Sequence, residues 1–117
     1  MASLSQLVDN VVVMSFDLDQ SLVTIGRRAE NSIRIDEISV SGQHAVIEAI
    51  PNAYLDGVTD YYISDCNSTN GTLVNDLRVS ERQRLNSNDL IRIGWNEFRF
   101  IDDSENALEQ TAYILEE

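Results

Sequence analysis

At 117 residues the chain is long enough for one hydrophobic core without metal or disulfide staples, and short for two ordinary domains. Twenty acidic residues against eight basic ones give a formal net charge of −12, which argues against a nucleic-acid backbone or an anionic membrane surface as partner. The single cysteine, Cys66, allows no internal disulfide and has no Cys or His partner at metal-ligand spacing, so a structural thiol in a reducing compartment is expected and no metal or cofactor is implied.

The first ten residues carry no basic run, and the longest apolar stretch, Val11 to Met14, is too short for a signal peptide or a membrane span. They read as an N-terminal extension over 1–10, and the chain as cytoplasmic. From residue 11 onward, short runs rich in β-branched and aromatic residues alternate with turn residues, the pattern of an all-β sandwich. Strands are expected at Val11–Phe16, Leu22–Ile25, Ile33–Ile35 and Ala45–Ile50, the last ended by Pro51. An exposed hairpin loop is expected over 52–60. Further strands follow at Tyr61–Ser64, Thr72–Val74, Leu77–Val79, Gln83–Leu85, Leu90–Ile93 and Glu97–Ile101. Ile91, Ile93 and Trp95 alternate with Arg92, as Phe98 and Phe100 do with Arg99, which puts one face in the core and one in water. The domain therefore spans 11–101 and leaves an acidic tail over 102–117, which can pack on it.

Cys66 to Asn75, Cys-Asn-Ser-Thr-Asn-Gly-Thr-Leu-Val-Asn, is a turn of small hydrogen-bonding residues. Asn, Ser and Thr side chains can bond their own backbone there, and Gly71 supplies a left-handed φ without steric cost. Taken alone it reads as a hairpin connection. Its company is more specific: Ile25-Gly26-Arg27-Arg28 follows one strand, Ser41-Gly42-Gln43-His44-Ala45 precedes another, and Asn88-Asp89-Leu90-Ile91-Arg92-Ile93-Gly94 comes near the end. In that order the four motifs resemble the forkhead-associated (FHA) domain, over about residues 11 to 101.

The resemblance implies an eleven-stranded β-sandwich of mostly antiparallel strands, with binding loops gathered at one end. It implies that Arg27 and Ser41 meet the phosphate of a phosphothreonine, that the Thr69 hydroxyl or backbone joins them, and that the Asn70 amide clamps the peptide main chain. A dianionic phosphate with three acceptor oxygens suits an arginine fork and oriented donors. Gly26, His44, Ser68, Gly71, Thr72 and Asn75 are expected to hold the loops; His44, the lone histidine, braces them and does no chemistry, because no nucleophile or acid–base partner sits at a usable spacing.

Gly42 departs from the family pattern, in which Arg, Lys or Asn commonly follows the serine and adds a phosphate or peptide contact. Arg28 or backbone amides would have to compensate. Ser39 and Val40 are expected to face the peptide on its C-terminal side, and Arg27, Arg28 and Arg34 to form a cationic corner in an acidic chain.

The implied function is a non-catalytic adaptor that binds phosphothreonine peptides in Ser/Thr kinase signalling. The alternative is a phosphate-independent assembly domain that retains the fold. In the tail, Ala107, Leu108 and Ala112 to Leu115 fit one face of a short helix, and Ala112 to Leu115 equally fit an added edge strand. Thr111, with an apolar residue three positions on, is a candidate phosphorylation site for self-association.

Overall fold

The computed structural model describes residues 2–102, which form eleven strands in two sheets and no helix among the described residues. The strands are β1 (Ala2–Val8), β2 (Val11–Asp17), β3 (Leu22–Gly26), β4 (Ile33–Arg34), β5 (Ala45–Pro51), β6 (Thr59–Asp65), β7 (Thr72–Val74), β8 (Leu77–Arg78), β9 (Gln83–Leu85), β10 (Leu90–Ile93) and β11 (Asn96–Asp102). One sheet has the order β2-β1-β11-β10-β7-β8 and the other β4-β3-β5-β6-β9. All neighbouring pairs whose register is resolved are antiparallel except β3–β4. The all-β sandwich expected from the sequence is thus the fold.

The core lies between the sheets, where every second residue of the central strands points inward. Leu4 from β1, Ile25 from β3, Ile47 from β5, Ile63 from β6, Ile91 and Ile93 from β10, and Phe98 and Phe100 from β11 are all fully buried. Tyr61 packs against Phe100 with ring centroids 5.4 Å apart, and Phe16 against Phe98 at 6.4 Å, both tilted.

Three turns show how local sequence sets register. Asp9–Asn10 joins β1 to β2 and Asn75–Asp76 joins β7 to β8, all four residues with φ between 51° and 68°. That is the paired left-handed conformation a two-residue hairpin needs, and Asn and Asp tolerate it better than other side chains. Gly94 (φ 60°) turns β10 into β11, where a Cβ would overlap the Ser39 side chain and carbonyl.

Two expectations are corrected here. The segment read as an N-terminal extension is β1, hydrogen-bonded between β2 and β11 from Ala2↔Asp102 to Leu7↔Glu97. Ala2, Leu4 and Leu7 are buried while Ser3, Ser5 and Gln6 are not, so its polar composition conceals a one-faced strand. Trp95, expected in the core by alternation with Ile91 and Ile93, is 72% exposed, because the strand ends at Ile93 and the Gly94 turn breaks the period.

The apolar run Val11–Met14 is also exposed. β2 is an edge strand, and Val11, Val12, Val13 and Met14 are each 53–61% accessible. A hairpin loop joins β5 to β6 with Tyr54 in solvent, but it is shorter than the expected 52–60: Pro51 still belongs to β5 and pairs with Thr59, and Asp60 pairs with Ile50. The tail from residue 103, with Thr111 and the proposed helix or edge strand, lies outside the described residues. Among the described residues no helix is long and apolar enough to cross a membrane.

Candidate functional site

Three loops meet at one end of the sandwich, those after β3, before β5 and after β6. Glycine lets the first two touch. At Gly26 a Cβ would overlap the carbonyl of Gly42 and stand 2.8 Å from Asn31 Nδ2. That carbonyl accepts hydrogen bonds from the Arg28 N–H (3.2 Å) and the Asn31 side-chain amide (2.8 Å), while the Arg27 N–H donates to the Ser41 carbonyl at 2.9 Å. The loop carrying Arg27 and Arg28 is thereby fixed to the loop carrying Ser41.

His44 ties in the third loop. It is fully buried, accepts the Ser41 N–H on Nδ1 at 3.0 Å, and places Nε2 2.9 Å from the Gly71 carbonyl. A carbonyl only accepts, so Nε2 carries the proton and Nδ1 the lone pair, the neutral tautomer. Both ring nitrogens are thus spent on the backbone.

Within the third loop, Asp65 accepts from the Ser68 N–H (3.0 Å), the Ser68 hydroxyl (2.6 Å) and the Thr72 hydroxyl (2.8 Å), and Ser68 Oγ accepts the Gly71 N–H at 2.9 Å. Burial works against the Asp65 charge, but the hydrogen bonds from Ser68 and Thr72 outweigh it and hold the carboxyl below its ordinary range. Asn67 and Gly71 supply left-handed φ of 60° and 82°. Asn75 lies farther off, in the β7–β8 turn, where its side chain donates to Asp89 and accepts the Leu90 N–H, linking that turn to β10.

The result is a shallow cleft of about 130 Å³ lined by Arg27, Ile38, Ser39, Val40, Ser41, Thr69 and Asn70. The Thr69 N–H donates to Ser41 Oγ at 3.0 Å, and the Asn70 amide donates to the Ser39 carbonyl at 2.8 Å, which fixes the Ser41 and Asn70 side chains. A larger open groove at the opposite end, lined by Leu18, Tyr61 and Pro51, has only Asp19 and Asp102 as charges and suits no anion.

Arg34, Arg82, Arg84 and Arg92 each pair with a carboxylate; among the described residues Arg27, Arg28, Arg78 and Arg99 pair with none, and the first two of these stand beside Ser41. Arg28 lies over Gly42, where a Cβ would stand 2.8 Å from its Nε and 3.2–3.3 Å from its stem carbons. The space of the side chain missing at Gly42 is therefore occupied by that of Arg28. Glu37, bonded to Ser39 of the cleft, is held below its usual range by hydrogen bonds from the Ser39 hydroxyl and backbone, with Asn96 adding a third.

The cleft gathers Arg27, Ser41, Thr69 and Asn70 as expected and leaves Thr72 buried beneath it. Other expectations change. Ser39 and Val40 line the cleft but are buried, Ser39 bonded to Glu37 and to the Trp95 N–H (2.9 Å), so little of either side chain is exposed there. The exposed side chain there is Ile38, at 79%. Arg34 turns away, its Nε to the Arg27 carbonyl and its guanidinium toward Asp36. Cys66 is exposed, not packed; desolvation and then the Asp65 charge push its thiol up, which favours the thiol over the thiolate.

Arg78, which the sequence did not single out, sets its guanidinium about where a Gly71 side chain would reach, with Cζ 3.4 Å from the position of a Cβ. The signal for it was the two-residue Asn75–Asp76 turn, which fixes Arg78 opposite Leu73.

Comparison with known proteins agrees with this geometry. The FHA domain family matches residues 23–94, and the chain belongs to that family. The transcriptional regulatory protein EmbR of Mycobacterium tuberculosis (strain ATCC 25618 / H37Rv) is 38% identical over 85 residues, covering 73% of this chain and 20% of EmbR. The chain thus spans about a fifth of the length of such curated relatives. Among solved structures, Mycobacterium tuberculosis EmbR in complex with a low-affinity phosphopeptide superposes with a TM-score of 0.71 at 34% identity, over 86% of this chain and 24% of that one. The MEK1 FHA domain in complex with a phosphothreonine peptide of HOP1 gives 0.71 at 26% identity, over 86% and 94%.

Proposed function

We propose that this domain recognises phosphothreonine in extended peptides, as a non-catalytic adaptor in Ser/Thr kinase signalling. The observation that carries the reading is that Arg27 lines a cleft of hydroxyls and amides, with Arg28 beside it over Gly42, and that among the described residues neither pairs with a carboxylate. Arg27 takes phosphate oxygens through its planar fork. Ser41 and Thr69 add their hydroxyls, their N–H groups being held by His44 and by Ser41 Oγ, and the remaining hydrogen-bonding capacity of the Asn70 amide clamps the peptide main chain. Arg28, lying over Gly42, supplies the cation that the family pattern takes from the residue after the serine. The relatives solved with phosphopeptides support the same reading.

The threonine over a serine preference needs a seat for one methyl group, worth about 0.8 kcal/mol by transfer alone. The test is binding of an oriented peptide library fixed at phosphothreonine, with phosphoserine and unphosphorylated controls, to wild type and Arg27→Ala. Selective binding that falls at least tenfold in Arg27→Ala is expected, since a charge-assisted hydrogen bond contributes roughly 1.5–3 kcal/mol. Binding indifferent to phosphate and to Arg27 would favour the second reading, an assembly domain that keeps the fold, which the −12 charge recommends. A peptide over 106–117 phosphorylated at Thr111 belongs in the same series as a candidate ligand from a second copy.

A further inference from the structure

Each sheet has two edges, and three of the four are short. β4 and β8 are two residues each and β9 three, which offers little unpaired backbone to another chain. The fourth, β2, is seven residues long and pairs only with β1 among the described residues. It carries no charge from Val11 to Phe16 and no proline. Its one blunting feature is a bulge, the register slipping at Gln6/Leu7 so that Val13 is the extra residue. Val11, Val12, Val13 and Met14 are all more than half exposed, on both faces of the strand.

We infer that this edge is an interface between two copies of the chain, β2 pairing antiparallel with β2 about a two-fold axis. An antiparallel edge is self-complementary under such an axis. Centred on Met14, with the extra residue Val13 bulged out of the ladder on both strands, the pairing sets Met14 opposite Met14, Val12 opposite Ser15 and Val11 opposite Phe16. Asp17 then falls opposite Asn10 of the second copy, an amide that can donate to it. No like charges meet along the strand, although the chain as a whole carries −12. That match of neutral to neutral and carboxylate to amide is what selects a second copy as occupant. The two six-stranded sheets become one of twelve. A single strand pair buries less than the roughly 1,200 Å² of a stable interface, so the dimer is weak and concentration-dependent. The inference does not rest on phosphate recognition.

Sedimentation velocity on the full, unphosphorylated chain tests it, from about 10 μM to 1 mM and at low and high salt. Dimerisation is expected to rise with concentration and to tighten roughly tenfold with added NaCl, as screening removes repulsion between two acidic bodies. Val12→Lys is expected to abolish it with an unchanged melting temperature, and Arg27→Ala to leave it intact. A monomer throughout the range overturns the inference, and so does a dimer indifferent to Val12→Lys. Hydrogen exchange gives an independent readout. Protection of the outward β2 amides that grows with concentration supports the inference, and protection equally strong in dilute monomer overturns it, because another part of the chain would then cover the edge.

Discussion

Arg28 and Gly42 form one unit: the arginine stem fills the volume that a side chain after Ser41 would take, so the two positions are coupled through shared space. We expect Arg28→Ala to weaken phosphopeptide binding about tenfold, and Gly42→Asn alone to weaken it by displacing Arg28. Together the two changes should cost less than their sum, since the new amide enters vacated space; calorimetric titration of the four-member cycle measures the coupling. His44 acts differently, on stability. His44→Ala leaves the Ser41 N–H and the Gly71 carbonyl without their partner and opens a cavity, a loss of roughly 2–4 kcal/mol that urea unfolding would read as a lower midpoint at unchanged slope. Arg27, Ser41, Thr69 and Asn70 were legible because their motifs keep a fixed order. The sequence could not show that Val40 is buried and Ile38 exposed, because those directions depend on a non-repeating loop path and not on a period.

Among the elements, the loop after β6 depends most on one ionised group. The folded carboxyl of Asp65 sits below its ordinary range, where three hydrogen bonds prevail over burial. Its contribution is therefore complete above the unfolded value of about 4 and is lost as pH falls through the lower, folded value. Stability curves of wild type and Asp65→Asn should differ at neutral pH and converge in acid; parallel curves down to acid unfolding would contradict this role. Strand by strand, the sequence was readable where one face is wet and the other dry, as in β10 and β11. It was misleading where composition and burial part company. β1 is rich in serine yet half buried, and β2 is the most apolar run yet exposed, because edge position and partner strands are set by topology rather than by local pattern.

For the whole molecule, a charge of −12 opposes the approach of any phosphopeptide, while Arg27 and Arg28 attract it only at close range. Screening acts first on the distant acids, so raising ionic strength from about 20 to 150 mM should increase the association rate of a phosphopeptide flanked by glutamates by roughly threefold; one flanked by neutral residues should change less. Stopped-flow fluorescence separates this from the dissociation rate, and a rate that falls with salt for both peptides would show that the arginines dominate at range. β11 begins at the cleft, where the Asn96 amide bonds Glu37, and runs away from it to Asp102, which pairs with Ala2 on β1. Both leads into the module therefore lie side by side at the pole farthest from the ligand. Spliced into a longer polypeptide there, or tethered to a sensor chip by either lead, it presents its cleft outward; a short linker between the two, with new ends cut in the β5–β6 loop, would yield a circular permutant that still binds.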